Sequence, residues 1–138
     1  MSAVATITVS PALKTFLALD FGLKRTGVAV GNRITGTAQP QGTIAAEGEA
    51  RFVKIGEWLQ QWQPDALVVG VPFHPDGRGH ENTLRARRFA RRLHGRFKLP
   101  VFEVDERYST TEALAEGASD ADAAAACIIL EQFLRSIS

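Results

Sequence analysis

Three acidic residues stand where a carboxylate is costly or well aimed. Asp20 closes the apolar run "FLALD", Glu106 follows the run Val101–Asp105, and Asp122 opens the apolar stretch "AAAACIIL". Side chains alternate along a strand, so Asp20 shares a face with Phe16 and Ala18. A bare buried carboxylate there is expensive, so it must pair, protonate, bind metal or reach solvent. If the strands carrying Asp20 and Glu106 are neighbours, and the helix opened by Asp122 starts at the same edge, the three carboxylates converge. Converging carboxylates suit Mg²⁺ or Mn²⁺, hard cations that take oxygen ligands and share them with phosphates. Two such ions about 4 Å apart can activate a water and stabilise the leaving oxygen of a phosphodiester. Lys24, Arg25 and Arg107 stand near these acids and are placed for phosphate. Plainer roles stay open. Asp20 can pair with Lys24 or Arg25 and fix a turn. Asp122 can be the third residue of a helix capped by Ser119, favoured by the helix dipole. Asp105 and Glu106 can be loop charges, and Asp105 rivals Glu106 as a ligand.

The elements that must position these residues follow from periodicity. Thr15–Asp20 and Gly27–Gly31 read as an antiparallel hairpin joined by "FGLKRT". Thr37–Ile44 is a weaker strand, which Pro40 places at an edge. Phe52, Ile55, Leu59 and Trp62 recur at helical spacing, so Ala50–Trp62 is an amphipathic helix ended by "QPD". Ala66–Val71 is a continuous apolar run, suited to a strand covered on both faces. Its Gly70 permits a close approach or a sharp exit. "PFHPDGRGH" is a loop. Glu81–Phe97 is a helix with an apolar stripe of Ala86, Phe89, Ala90, Leu93 and Phe97, barred from continuing by Pro100. Val101–Asp105 is a short strand. "STTE" from Ser109 is a capping box that starts a helix, and "SDAD" from Ser119 offers a second start. The last helix is apolar nearly all round at first, so it is buried. A hairpin followed by βα alternation implies an α/β domain with a mixed sheet and helices packed on it.

The chain has 138 residues, the size of one domain. Residues 1–14 read as a flexible lead and 15–138 as a single domain. No apolar run approaches the roughly 20 residues of a membrane span. Cys127, the single cysteine, excludes an intramolecular disulfide, suits a reducing cytoplasm and reads as core. His74, His80 and His94 lack metal-ligand spacing. Trp58 and Trp62 read as packing. A net charge of +1 hides an uneven distribution: "RARRFARRLHGRFK" is one-signed from Arg85 to Lys98. Arg88 and Arg92 lie opposite the apolar stripe, either as a solvated face or as a contact for nucleic acid.

The motifs "LDFGLKRTGVAVGN", "LVVGVPFHPDG", "RARRFARRL", "VDERYSTTEA" and "DADAAAACIILEQFL", taken in order, resemble those of the YqgF family. These are ribonuclease H-like proteins described as Holliday junction resolvases and as pre-16S ribosomal RNA nucleases. The resemblance runs from about Phe16 to Leu134. It implies a ribonuclease H-like fold with a five-stranded mixed sheet whose first three strands are antiparallel. It also implies metal-dependent phosphodiester hydrolysis with Mg²⁺ or Mn²⁺. Asp20, Glu106 and Asp122 match the family's acidic positions, with Asp105 the rival and Asp120 a lesser substitute for Asp122. Lys24, Arg25 and Arg107 match its basic positions. The segment between "STTEA" and "DADAAAA" is shorter than in the family, and the lead before Thr15 has no match.

The resemblance implies precursor 16S rRNA as substrate, in the cytoplasm, with the pre-ribosomal small subunit as a partner. Branched DNA is the alternative. A resolvase normally needs two active sites, and the chain shows no dedicated dimer element, so a monomer or weak dimer is expected. Two readings come from other classes. "DFGLKRTG" also resembles the phosphate turn of actin-like ATPases, which need two such domains. The remaining one is a nucleic-acid-binding assembly factor without catalysis.

Overall fold

The computed structural model describes residues 9–73, 79, 81–107 and 120–137. The capping box at Ser109, the shortened segment that follows it, His74, His80 and the side chain of Arg107 lie outside the described residues.

The hairpin forms as its composition demands. β1 (Thr15–Phe21) and β2 (Thr26–Asn32) are antiparallel, with Asp20 opposite Gly27. The turn between them closes with the Gly22 N–H donating to the Arg25 carbonyl at 2.8 Å. β3 (Thr37–Ile44) pairs antiparallel with β2 and sits at the sheet edge, where Pro40 does no harm. The register shifts there: Val28 pairs with Gly42 and Ala29 with Pro40, so Gln41 forms a bulge. β4 (Ala66–Phe73) lies parallel to β1, and β5 (Val101–Arg107) parallel to β4. The order is β3-β2-β1-β4-β5, the five-stranded mixed sheet expected from the sequence.

Three helices flank this sheet among the described residues: α1 (Gly48–Trp62), α2 (Glu81–Phe97) and α3 (Ala121–Ser136). Phe52 and Ile55 of α1, and Phe89, Ala90 and Leu93 of α2, pack with Leu17, Leu19, Val28, Leu67 and Val69 on one sheet face. Ala126, Ile129, Leu130 and Phe133 of α3 pack with Phe16, Ala18, Ala29 and Val68 on the other. Central β1 and β4 are therefore buried on both faces. Each large side chain so buried contributes at most about 1.5–3 kcal/mol over leaving it in water. The α1 stripe fades toward its end: Leu59 is half-buried and Trp62 is exposed. Cys127 is half-buried at the margin of the α3 core, and that burial raises its thiol pKa. None of the helices is long and apolar enough to cross a membrane, among the described residues.

Several strands run a residue or two past their expected ends, and β5 matters most for the site. β5 runs past Asp105, because β4 pairs with it as far as Phe73–Arg107. Glu106 is thus inside the strand, not in the loop after it. From Val9 onward the lead contacts the domain. Val9 is buried in the α3 core. The Arg33 guanidinium donates to the carbonyls of Ser10 at 2.7 Å, Val9 at 3.2 Å and Leu13 at 3.3 Å. The Asp65 carboxylate accepts from the Thr15 and Lys14 amides at 2.9 and 2.8 Å, and those bonds, Thr15 first, lower its pKa.

Candidate active site

One row of residues crosses three strands. Asp20 on β1 is opposite Gly27 on β2, and Gly27 is opposite Thr43 on β3. Phe16 and Ala18 pack against α3, so alternation puts half-buried Asp20 on the α3 face. Helix α3 starts directly over this row. A Cβ on Gly27 would lie 1.8 Å from the Asp122 carbonyl oxygen, so only glycine lets the first turn of α3 settle there. The start is pinned by Asp120. Its carboxylate accepts from the Thr43 hydroxyl at 2.6 Å and from the Ala123 amide at 3.0 Å. These bonds, Thr43 first, lower its pKa. Asp120 is therefore the N-cap, and Asp122 is not the third residue of a helix capped by Ser119.

Strand alternation also separates the two acids of β5. Phe102 and Val104 pack against the α3 core, so Glu106 shares their face and Asp105 points to the other. Glu106 is 5% exposed, whereas Asp105 is exposed. Glu106 stands opposite Pro72, two residues beyond the Gly70–Val104 pair. Its side chain leans back along the sheet: a Cβ on Gly70 would lie 3.4 Å from Glu106 Cγ and 2.4 Å from Ile129 Cδ1. The bare Gly70 backbone thus lets Ile129 down onto the sheet and leaves Glu106 room on the Asp20 side. Burying a carboxylate requires donors. With its amide oriented to suit both partners, Gln132 of α3 donates to both Glu106 oxygens, one of them at 3.1 Å. Sequence reasoning did not find Gln132. It lies one turn from Ile129, a polar residue inside an apolar helix, and that was the available signal.

Asp122 is not open. Its carboxylate meets the Arg25 Nε at 3.1 Å, with the two side chains 31% and 66% exposed. Arg25 thus neutralises a carboxylate where the sequence placed it for phosphate, while Lys24 is exposed. Among the described residues, no three His, Cys, Asp or Glu side chains already stand close enough to hold a metal ion. The donor types nevertheless fit a hard divalent cation, since Asp20, Glu106 and Asp122 offer only oxygens on one sheet face. Asp122 would have to exchange Arg25 for the cation. Arg88 and Arg92 are not brought to this face. They line a groove on the opposite side of the sheet. His94 sits at the surface with Nδ1 2.9 Å from the Leu99 carbonyl.

A family model described as "RuvX: Holliday junction resolvase" matches residues 14–136. The chain belongs to the RuvX (YqgF) family. Its relatives are closely similar and carry a common name. A RuvX-family protein of Albidiferax ferrireducens, named "Putative pre-16S rRNA nuclease", is 82% identical over 94% of this chain and 83% of its own length. One of Polaromonas sp. with the same name is 67% identical over 99% of both chains. One of Paraburkholderia phytofirmans, named likewise, is 53% identical over 90% of both. The RuvX-family chain also superposes on T. thermophilus RuvC, solved in complex with a Holliday junction substrate. The TM-score is 0.52 at 13% identity, over 89% of this chain and 94% of that one. This likeness shows the fold, which is ribonuclease H-like, as the strand order already indicated.

Proposed function

We propose that this chain is a metal-dependent endonuclease that matures the 5′ end of precursor 16S rRNA. The observation that carries the reading is the placement of Asp20 and Glu106 on one sheet face, beneath a helix with Asp122 in its first turn. The names of the RuvX-family relatives support the substrate. Asp20, Glu106 and Asp122 would hold Mg²⁺ or Mn²⁺, which when bound activates water and stabilises a leaving phosphodiester oxygen. Gln132 fixes the orientation of Glu106 through its amide. Lys24 and Arg107 meet the backbone phosphates, and Arg25 turns to them when it leaves Asp122. The chain acts in the cytoplasm on the pre-ribosomal small subunit, as a monomer or weak dimer.

A second reading keeps the chemistry and replaces the RNA with four-way DNA. The family's description as Holliday junction resolvases favours it. The two are separated by incubating wild type and Asp20→Asn with a precursor 16S 5′-leader RNA and with a four-way DNA junction, each with and without Mn²⁺. The expected result is metal-dependent RNA cleavage, at least 100-fold weaker in Asp20→Asn, on the order of what loss of such electrostatic stabilisation costs. Junction cleavage alone would assign the chain to resolution. Cleavage of neither would leave a nucleic-acid-binding assembly factor.

A further inference from the structure

The groove on the far side of the sheet is built from the other half of the same strand end. Asp20 and Phe21 are consecutive, so their Cα atoms lie about 3.8 Å apart while their side chains point to opposite faces. Phe21 lines the groove together with Glu47, Arg51, Arg85, Arg88 and Arg92. The floor is aromatic: the Phe21 and Phe89 rings are 4.7 Å apart. The volume is about 240 Å³, below the roughly 300–1,000 Å³ of pockets that enclose drug-sized ligands. The charge is one-sided, with four guanidinium groups against the single carboxylate of Glu47.

The four arginines are not equivalent. Arg51 is buried and serves the fold: it donates to the Ala46 carbonyl at 3.0 Å and to the Leu23 carbonyl at 2.6 Å, and lies over the Phe21 ring at 4.6 Å. Arg85 is engaged by Glu81 at 2.8 Å and Asn82 at 3.2 Å. Arg92 is exposed and stacks on Phe52 at 4.7 Å, a contact that leaves its N–H groups available at the rim. Arg88 is exposed and has no hydrogen-bond or ion-pair partner among the described residues. Apart from Glu47, the side chains lining the groove are cationic or apolar, so it holds no amide or hydroxyl set for reading base edges. The turn Gly22–Arg25 joins it to the acidic site. Leu23 is held by Arg51 on the groove side, and Arg25 is held by Asp122 on the other.

We propose that this groove binds the phosphodiester backbone of the substrate strand next to the cleavage point, through Arg88 and Arg92, irrespective of sequence. The strand crosses the sheet edge at the Gly22–Arg25 turn, with the scissile phosphate on the acidic face and the flanking phosphates in the groove. This deepens the nuclease reading and rests on it for the position of the cleaved bond.

The test measures binding of a fluorescent single-stranded RNA over a salt series, with Asp20→Asn as the parent so that cleavage cannot intrude. Adding Arg88→Gln and Arg92→Gln is expected to weaken binding roughly tenfold at low salt. The salt slope should fall by about 1.4, near 0.7 for each phosphate that an arginine no longer neutralises. Arg88→Gln alone should account for about half of both changes. It disturbs no hydrogen bond or ion pair of the fold, so its melting temperature should match the parent. An unchanged slope in Arg88→Gln overturns the proposal. So does micromolar ATP binding that Arg88→Gln abolishes, since that would make the groove a nucleotide site. If wild type cuts no substrate but Arg88→Gln lowers the slope, the nuclease reading fails and the groove stands.

Discussion

The two faces of the central sheet carry opposite chemistry from the same strand ends. Asp20 and Glu106 lie under α3 and Asp122 in its first turn, with the Arg25 guanidinium paired to Asp122. Under α1 and α2 lie Arg51, Arg85, Arg88 and Arg92 over an aromatic floor. At these strand ends the sheet separates a cluster of carboxylates from a cluster of guanidinium groups. Strand alternation makes the division: Asp20 and Phe21 part company at β1, as Asp105 and Glu106 do at β5. The two layers also differ in how they are held. The acidic side is seated by close approach to glycine: the α3 backbone meets Gly27 and the Ile129 side chain meets Gly70, where any larger residue would collide. The basic side is seated by side chains, including a two-pronged Arg96–Glu49 pair at 2.6 and 2.5 Å. That pair is exposed, so solvent screens it and it adds little to stability.

The difference predicts which side breaks first. Gly27→Ala should be the most damaging single change outside the carboxylates. The new methyl meets backbone, which cannot swing away, so the cost should reach or exceed the upper end of about 1–3 kcal/mol for overpacking. Urea unfolding measures it. A change under about 0.5 kcal/mol, the size of an ordinary surface substitution, would mean that α3 does not sit on β2 as described. A smaller effect belongs to the cap of α3. Asp120→Ala should cost about 1 kcal/mol at pH 7, whereas Asp120→Asn keeps the cap and costs little. The Thr43 and Ala123 bonds lower the Asp120 pKa in the fold below its unfolded value near 3.9. Its contribution is therefore present above about pH 3.9 and disappears as pH falls through the folded value. Wild type should lose its margin over Asp120→Ala in that window, and Asp120→Asn should not show the same acid limb. Equal pH profiles for wild type and Asp120→Asn would remove the electrostatic part of the cap.

Much of this division was legible in the chain, for physical reasons. Periodicity located the helices and strands, since 3.6-residue and 2-residue repeats decide which side chains are buried. It found α2 from Glu81 to Phe97 and the apolar core strand at Ala66, while Pro40 pointed to the edge position of β3. Asp20 was conspicuous because a carboxylate in an apolar strand needs a reason. Register was harder to read. Ending β5 at Asp105 left two adjacent acids as rivals, and only pairing with β4 extends the strand and assigns them to opposite faces. The Asp122–Arg25 and Asp120–Thr43 contacts join residues 97 and 77 positions apart in sequence, so no local pattern carries them. The same holds for the groove that gathers Arg88 and Arg92 around Phe21, whereas Gln132, which meets Glu106, left a local trace as a polar residue in an apolar helix.

The central claim is that Glu106, not Asp105, completes the acidic face with Asp20. It is tested most directly by titrating Mn²⁺ into wild type, Glu106→Gln and Asp105→Asn, with cleavage of the 5′-leader RNA measured on the same preparations. Glu106→Gln should lose metal affinity and cleavage together, by tenfold or more, while Asp105→Asn binds Mn²⁺ as wild type does. Loss of metal binding in Asp105→Asn with Glu106→Gln intact would contradict the account, because it would put the ligand on the wrong face of the sheet.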